Sequence, residues 1–96
     1  MPSEAEIIKR LAQAWHLYFG CDIEKVTPEA ELDNDLEFGE IDRVDALLAA
    51  ESEFDLVIDD DEAEECVTVA QWAAMIRRLM DSPAYAGYQG LAHDNA

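Results

Sequence analysis

Three serines, two cysteines, two histidines and 23 acidic side chains are the groups in this chain with chemistry to offer. Nucleophilic catalysis needs a serine or cysteine with a base in reach and a third group to orient that base. His16 and His93 both stand away in sequence from Ser3, Ser52, Ser82, Cys21 and Cys66 as nucleophile partners, and no ordered set emerges. Paired acids suited to general acid and base work occur along much of the chain, so their presence discriminates nothing. Asp33-Asn34-Asp35-Leu36-Glu37-Phe38-Gly39 spaces oxygen ligands as a calcium loop does. Phe38 stands where that loop needs glycine, and Val44 where it needs the closing glutamate, so an EF-hand is excluded. Loose capture of calcium or magnesium by the carboxylates at 59–65 or on the second helix stands as an alternative to plain solvated charge. No dedicated metal site is expected.

Cys21 and Cys66 lie far apart and lack metal-site spacing, so they are expected as reduced, mostly buried thiols. A disulfide between them stays open on sequence grounds alone, although such bonds are uncommon inside cells. Trp15 and Trp72 fall on helical apolar stripes, which assigns them to the core rather than to a ligand platform.

Positioning these groups falls to a short chain. Ninety-six residues suit one domain with one hydrophobic core, and an apolar content of 50% argues for folding despite the charge. The formal net charge is -17, with 23 acidic against 6 basic residues. Such a field repels nucleic acid and anionic lipid and favours a basic protein surface as partner. The asymmetry is concentrated: between Glu29 and Glu65 lie seventeen acidic residues and one basic residue, Arg43. Compacting that much like charge opposes folding, so salt or divalent cations should stabilise the domain. No apolar run approaches the roughly 20 residues that span a bilayer, and the start is acidic where a secretory leader is basic. A cytoplasmic monomer is the expectation.

Ser3 and Glu6 form a capping box, after which Ile8, Leu11, Trp15 and Tyr18 recur at helical steps up to Gly20, suited to the left-handed residue after a helix. A long loop follows, pinned to the core by Val26, Leu32, Leu36 and Phe38. A second helix is predicted over about 40 to 53, with Ile41, Val44, Leu47 and Leu48 as its apolar stripe. Phe54, Leu56 and Ile58 carry the apolar pattern on, and the acids from Asp59 mark a short helix over about 60 to 65. Thr68 and Gln71 form a second capping box for a final helix through Val69, Trp72, Ala73, Ile76 and Leu79 to about Met80. Beyond it, residues 81–96, with Tyr85, Gly87, Tyr88 and Gly90, read as a loose tail. The fold class is all-α, a bundle of three main helices and one short one in a domain over 1–80.

Asp35-Leu36-Glu37-Phe38-Gly39-Glu40-Ile41-Asp42-Arg43-Val44 resembles the signature of the acyl carrier protein family, an Asp-Leu pair followed shortly by Asp-Ser-Leu-Asp-x-Val. Glu51-Ser52-Glu53-Phe54-Asp55 resembles the end of that family's second helix. The run from Asp61 to Val69 resembles its short third helix and the start of its fourth. Phe19-Gly20 and Val26-Thr27-Pro28-Glu29-Ala30 match in order upstream. Together these pieces run without a gap from the first helix to about Met80, and their joint order is specific where each alone is weak.

The resemblance implies a serine at the start of the second helix that accepts 4'-phosphopantetheine, and this chain has Glu40 there, preceded by Gly39 where the family has an acid. A carboxylate cannot form that phosphodiester, so no cofactor is expected. Glu40 is either a plain helix-start acid, favoured by about 0.3 to 1 kcal/mol, or a carboxylate that imitates the phosphate of a loaded carrier. The family's partners read the second helix with basic patches, which by resemblance assigns docking to Glu40, Ile41, Asp42, Asp45, Leu48, Glu51 and Glu53. Core burial is the competing expectation for Ile41 and Leu48, and a solvated face for the acids. The resulting expectation is an atypical acyl-carrier-like protein, not an enzyme, acting by protein recognition in or near fatty-acid, polyketide or peptide biosynthesis. Two alternatives remain: a true carrier modified elsewhere, such as at Ser52, and an acidic decoy that occupies a basic nucleic-acid-binding protein.

Overall fold

A computed structural model of the chain describes residues 2–82. Of the tail expected over 81–96, residues 83–96, which include its two tyrosines and His93, lie outside the described residues. Within them the chain forms α1 (Glu4–Phe19), a short 3-10 turn at Ile23–Lys25, α2 (Glu40–Phe54), α3 (Asp60–Glu64) and α4 (Val69–Met80). Three main helices and one short one, with no strands among the described residues, make the all-α bundle that the sequence predicts.

α1, α3 and α4 each start where a side chain can take up free amide groups. Ser3 Oγ accepts from Glu6 N–H at 3.1 Å while Glu6 accepts from Ser3 N–H at 3.1 Å. The Ser3 backbone N–H and then its hydroxyl, both donating to the Glu6 carboxylate, hold that carboxyl below its usual range, so their stabilisation is present above the ordinary carboxylate pKa and fades as acid protonates the group. Thr68 and Gln71 repeat the arrangement for α4, and Asp59 caps α3 through Asp61 N–H at 2.8 Å. α1 stops at Gly20 with φ +77°, the left-handed conformation glycine adopts without penalty.

α2 ends differently, because Asp55 takes that left-handed position with φ +53°. A side chain there costs energy that glycine avoids. Asp55→Gly removes a left-handed side chain whose cost is on the order of 1 kcal/mol, and is expected to raise stability, read as a higher urea midpoint with an unchanged slope.

α1 packs against both α2 and α4. Its buried row is Ile7, Leu11, Ala12 and Trp15, rotated slightly from the expected stripe: Ile8 is only partly buried and Tyr18 is 54% exposed. Phe19 takes the inward place instead, edge-on to Phe38 at 5.3 Å. Trp15 sits at the centre, edge-on to Phe38 at 5.5 Å and to Trp72 at 5.6 Å, with Nε1 donating to the Ala46 carbonyl at 3.0 Å. α4 buries Val69, Trp72, Ala73, Met75 and Ile76.

The α2 stripe requires correction. Ile41, Val44 and Leu48 are exposed, and the helix turns Ala46, Ala49, Ala50 and Phe54 inward. At about 100° per residue the two sets lie on nearly opposite sides. Small alanines let α2 approach α1 closely enough for Trp15 to reach the backbone of Ala46, a fit that bulky residues at those positions would obstruct.

The long loop between α1 and α2 is pinned as expected. Val26, Leu32 and Phe38 are buried, and Leu36 packs partly against the core. Its middle is also tied to the start of α4, with Leu32 N–H donating to Val67 O at 2.9 Å and Val69 N–H to Ala30 O at 2.9 Å. That strap fixes where α2 begins. No helix of the described residues is long and apolar enough to cross a membrane.

Candidate functional site

The loop delivers the chain to α2 through Phe38, buried, and Gly39, which is exposed and serves as N-cap. Gly39 has no side chain to accept from the helix. The return half of a capping box remains: Gly39 N–H donates to Asp42 Oδ2 at 3.3 Å. Gly39 has φ -86°, ordinary backbone, and a Cβ added there would meet nothing within 4 Å. Neither conformation nor space therefore demands glycine at this position. Glu40 is the first residue of α2, exposed, with no side-chain hydrogen bond or ion pair among the described residues.

The seven docking candidates divide by the work they do inside the molecule. Glu51 Oε2 accepts from Ile58 N–H at 2.9 Å and holds the chain as it leaves α2. Glu53 pairs with Arg10 at 2.8 Å, and the same guanidinium lies 4.4 Å from the centre of the Phe54 ring. Asp42 is engaged at the Gly39 cap. Glu40, Ile41, Asp45 and Leu48 have no such duty among the described residues, and Ile41 at 77% and Leu48 at 46% are far more exposed than core residues. The expectation of burial for these two fails for the reason given above for α2, and Val44, 56% exposed, joins them in one apolar row. Periodicity singled out that row but assigned it inward. Since alanines line the opposite side of the helix, their spacing was the missed signal.

Beside that row lies a cavity of about 510 Å³ between α2, α3 and α4. Val44, Leu47, Leu48, Ala63 and Trp72 give it apolar walls, while Glu40, Glu51, Asp60 and Glu64 supply carboxylates and Arg43 a guanidinium. Arg43 is committed elsewhere, donating through Nη2 to Asp33 at 2.8 Å across to the loop. Arg78 similarly pairs with Glu62. Trp72 is 2% exposed, and its Nε1 is buried without a hydrogen-bond partner among the described residues. An unpaired buried donor of this kind costs about 1–3 kcal/mol.

The remaining reactive groups do not assemble. Cys21 is partly buried and Cys66 buried, both free thiols. Burial, then neighbouring acids, raises both thiol pKa values, which keeps them protonated at neutral pH. His16 is exposed on α1 with Nδ1 3.0 Å from the Cys21 carbonyl oxygen. Ser52 is exposed near the far end of α2, about three helical turns from Glu40. Among the described residues, no three of the histidine, cysteine and acidic side chains are grouped to hold a metal ion.

Residues 9–76 match the family described as the phosphopantetheine attachment site. The chain is 38% identical over 78 residues to the acyl carrier protein of Desulforapulum autotrophicum, covering 81% of this chain and 97% of that protein. It is 34% identical over 76 residues to the acyl carrier protein of Karelsulcia muelleri, covering 79% and 92% respectively. The acyl carrier protein of Thermosynechococcus vestitus is 36% identical over 67 residues, 70% of this chain and 83% of its own length. With the match running from within α1 to within α4, the chain belongs to the acyl carrier protein family, whose members are carriers and not enzymes.

Proposed function

We propose that this chain is an acyl-carrier-like protein that carries no prosthetic group and acts by recognising a basic surface on a biosynthetic enzyme of acyl, polyketide or peptide synthesis. The observation that carries the reading is Glu40 at the first position of α2, the position at which the family signature has its serine. A carboxylate there offers no hydroxyl for phosphopantetheine, while the acidic surface around it is kept. The partner's cations meet Glu40 and Asp45, and its apolar side chains meet Ile41 and Leu48. Asp42, Glu51 and Glu53 add negative charge while holding the local structure. Nucleic acid and anionic membrane are disfavoured as partners by the charge of -17. The protein acts as a cytoplasmic monomer in this reading.

The docking test uses the immobilised chain at low salt and follows a basic synthase or ligase that it retains. Asp45→Lys and Ile41→Asp alter residues without internal bonds, so each is expected to weaken retention at least about tenfold, or about 1.4 kcal/mol. Glu29→Lys, exposed on the loop, serves as the control of equal charge change for Asp45→Lys and should leave retention nearly intact. Equal loss with Asp45→Lys and Glu29→Lys, with none for Ile41→Asp, would reduce the interaction to net charge and defeat the assignment of α2. Retention of a nucleic-acid-binding protein instead would favour the decoy.

A further inference from the structure

The apolar row on α2 faces water at a place where the chain has material of its own to cover it. Ile41, Val44 and Leu48 are exposed along one side of the helix, and Val57, 79% exposed, follows just past its end. Ile58 N–H donates to Glu51 Oε2, so the chain leaves α2 on the side of Glu51, a helical neighbour of Leu48. A contiguous row of this kind marks an interaction surface, where single exposed apolar residues do not.

α4 brings the rest of the chain to the same end of the bundle. Arg77 lies 3.9 Å from Glu4, and Arg10 pairs with Glu53, so the ends of α4 and of α2 both sit beside the first half of α1. Residues 83–96 start from there. They fall outside the residues that match the family, 9–76. Their composition departs from that of the body: of the 23 acids in the chain they hold one, Asp94, and before it come Tyr85, Tyr88 and Leu91 at three-residue steps. An acidic segment would be repelled by Glu40 and Asp45 beside the row, and this one is not. Nine residues separate Ser82 from Leu91, a reach of up to about 30 Å, whereas α2 from Phe54 back to Ile41 is about 20 Å long. The segment can therefore run the length of the row.

We propose that the row is a docking site for the chain's own residues 83–96, with Tyr85, Tyr88 and Leu91 covering Leu48, Val44 and Ile41 in that order. Tyrosine suits an apolar strip bordered by carboxylates, because its ring packs on methyl groups while its hydroxyl stays with polar atoms or water. A short tether holds the segment at an effective concentration in the millimolar range, so a weak contact keeps the row occupied. One consequence rests on the docking of partners at α2 proposed above: a basic partner must displace the segment before it reaches Ile41 and Leu48.

Methyl NMR on the full chain tests the contact. Tyr85→Ser, Tyr88→Ser and Leu91→Ser together remove the three apolar side chains and leave the bundle intact, since its buried core lies within 7–76. The unaltered chain is expected to show NOEs from the Tyr85 and Tyr88 rings to the Leu48 and Val44 methyls, independent of protein concentration. In the triple variant the Ile41, Val44 and Leu48 methyls should shift, and Leu17, 84% exposed on α1, should not. Absent NOEs, unmoved α2 methyls or an equal shift at Leu17 overturn the proposal, and contacts that fade on dilution overturn it in favour of a second copy. In the retention assay the triple variant should hold the basic partner at least about threefold more tightly, as the covered fraction of the row is freed. NMR contact without that gain upholds the tail and defeats the row as the partner's site, so the two readings fail separately.

Discussion

Restoring two residues at the start of α2, Gly39→Asp with Glu40→Ser, is expected to turn an inert chain into one fully modified by a phosphopantetheinyl transferase and coenzyme A. Under the same conditions the unaltered chain is expected to gain no mass. The expectation rests on the proposal that only the attachment group is missing and the frame around it is kept. Structure gives reasons why the exchange should be tolerated. Gly39 has ordinary backbone and open space around its Cβ position, and Glu40 makes no side-chain bond that serine would lose. Aspartate at the N-cap also accepts from the first amides of α2, worth a few tenths of a kcal/mol over glycine. The measurement is intact mass before and after incubation, with Glu40→Ser alone as a second variant to separate the contribution of the preceding acid. A restored chain that folds but stays unmodified would mean that the recognition surface, and not only the serine, has diverged.

Trp15→Ala is expected to cost about 3–5 kcal/mol, a large share of the roughly 5–15 kcal/mol by which domains are stable. Trp15 is fully buried, touches Phe38 and Trp72 edge-on, and ties α1 to the backbone of α2 through Ala46. Its loss therefore opens a cavity at the point where α1, α2 and α4 meet and removes a buried hydrogen bond as well. Trp15→Phe, which keeps an aromatic ring and deletes the N–H, is expected to cost markedly less. The contrast with Arg10→Ala calibrates the claim: its exposed ion pair with Glu53 is worth at most about 1 kcal/mol, and Phe54 stays buried without it. Urea unfolding followed by circular dichroism measures all three. A Trp15→Ala variant no less stable than Arg10→Ala would remove Trp15 from its central place in the core.

Much of this frame is legible in the residues, and the exceptions have identifiable causes. Ser3 with Glu6, Thr68 with Gln71, and Gly20 mark helix limits because their side chains, or the lack of one, satisfy backbone groups locally. Local signals survive any tertiary arrangement. Leu11, Trp15, Trp72 and Ile76 are buried where periodicity puts them, since each lies on the apolar side of a helix whose other side is polar. α2 has two candidate sides, one of large apolar residues and one of alanines, and hydrophobicity alone ranks them in the wrong order. The close approach of α1 selects the alanines, and that is a fact about a pair of helices rather than about either sequence. The 3-10 turn at Ile23–Lys25 and the positive φ values of Glu37 and Asp55 likewise arise from how the loop and the helix end must travel.

The candidate site shows the same division. Glu40 and its neighbours are visible as a departure from a family signature, and the acidity around them is visible as a count. Which acids are occupied is not: Glu51 on Ile58, Glu53 on Arg10 and Asp42 on Gly39 are relations between distant or backbone groups. The unpaired Nε1 of Trp72 is less legible still, because a tryptophan on a helical stripe reads as core until the packing reveals whether its donor is satisfied.

The most direct test of recognition without carriage is the intact mass of the protein purified from its own cells. The mass of the unmodified polypeptide is the predicted result and would confirm that the working form bears no pantetheine arm. A mass higher by one phosphopantetheine group, mapped to Ser52 or any other residue, would contradict the proposal and make the chain a carrier loaded at a site of its own.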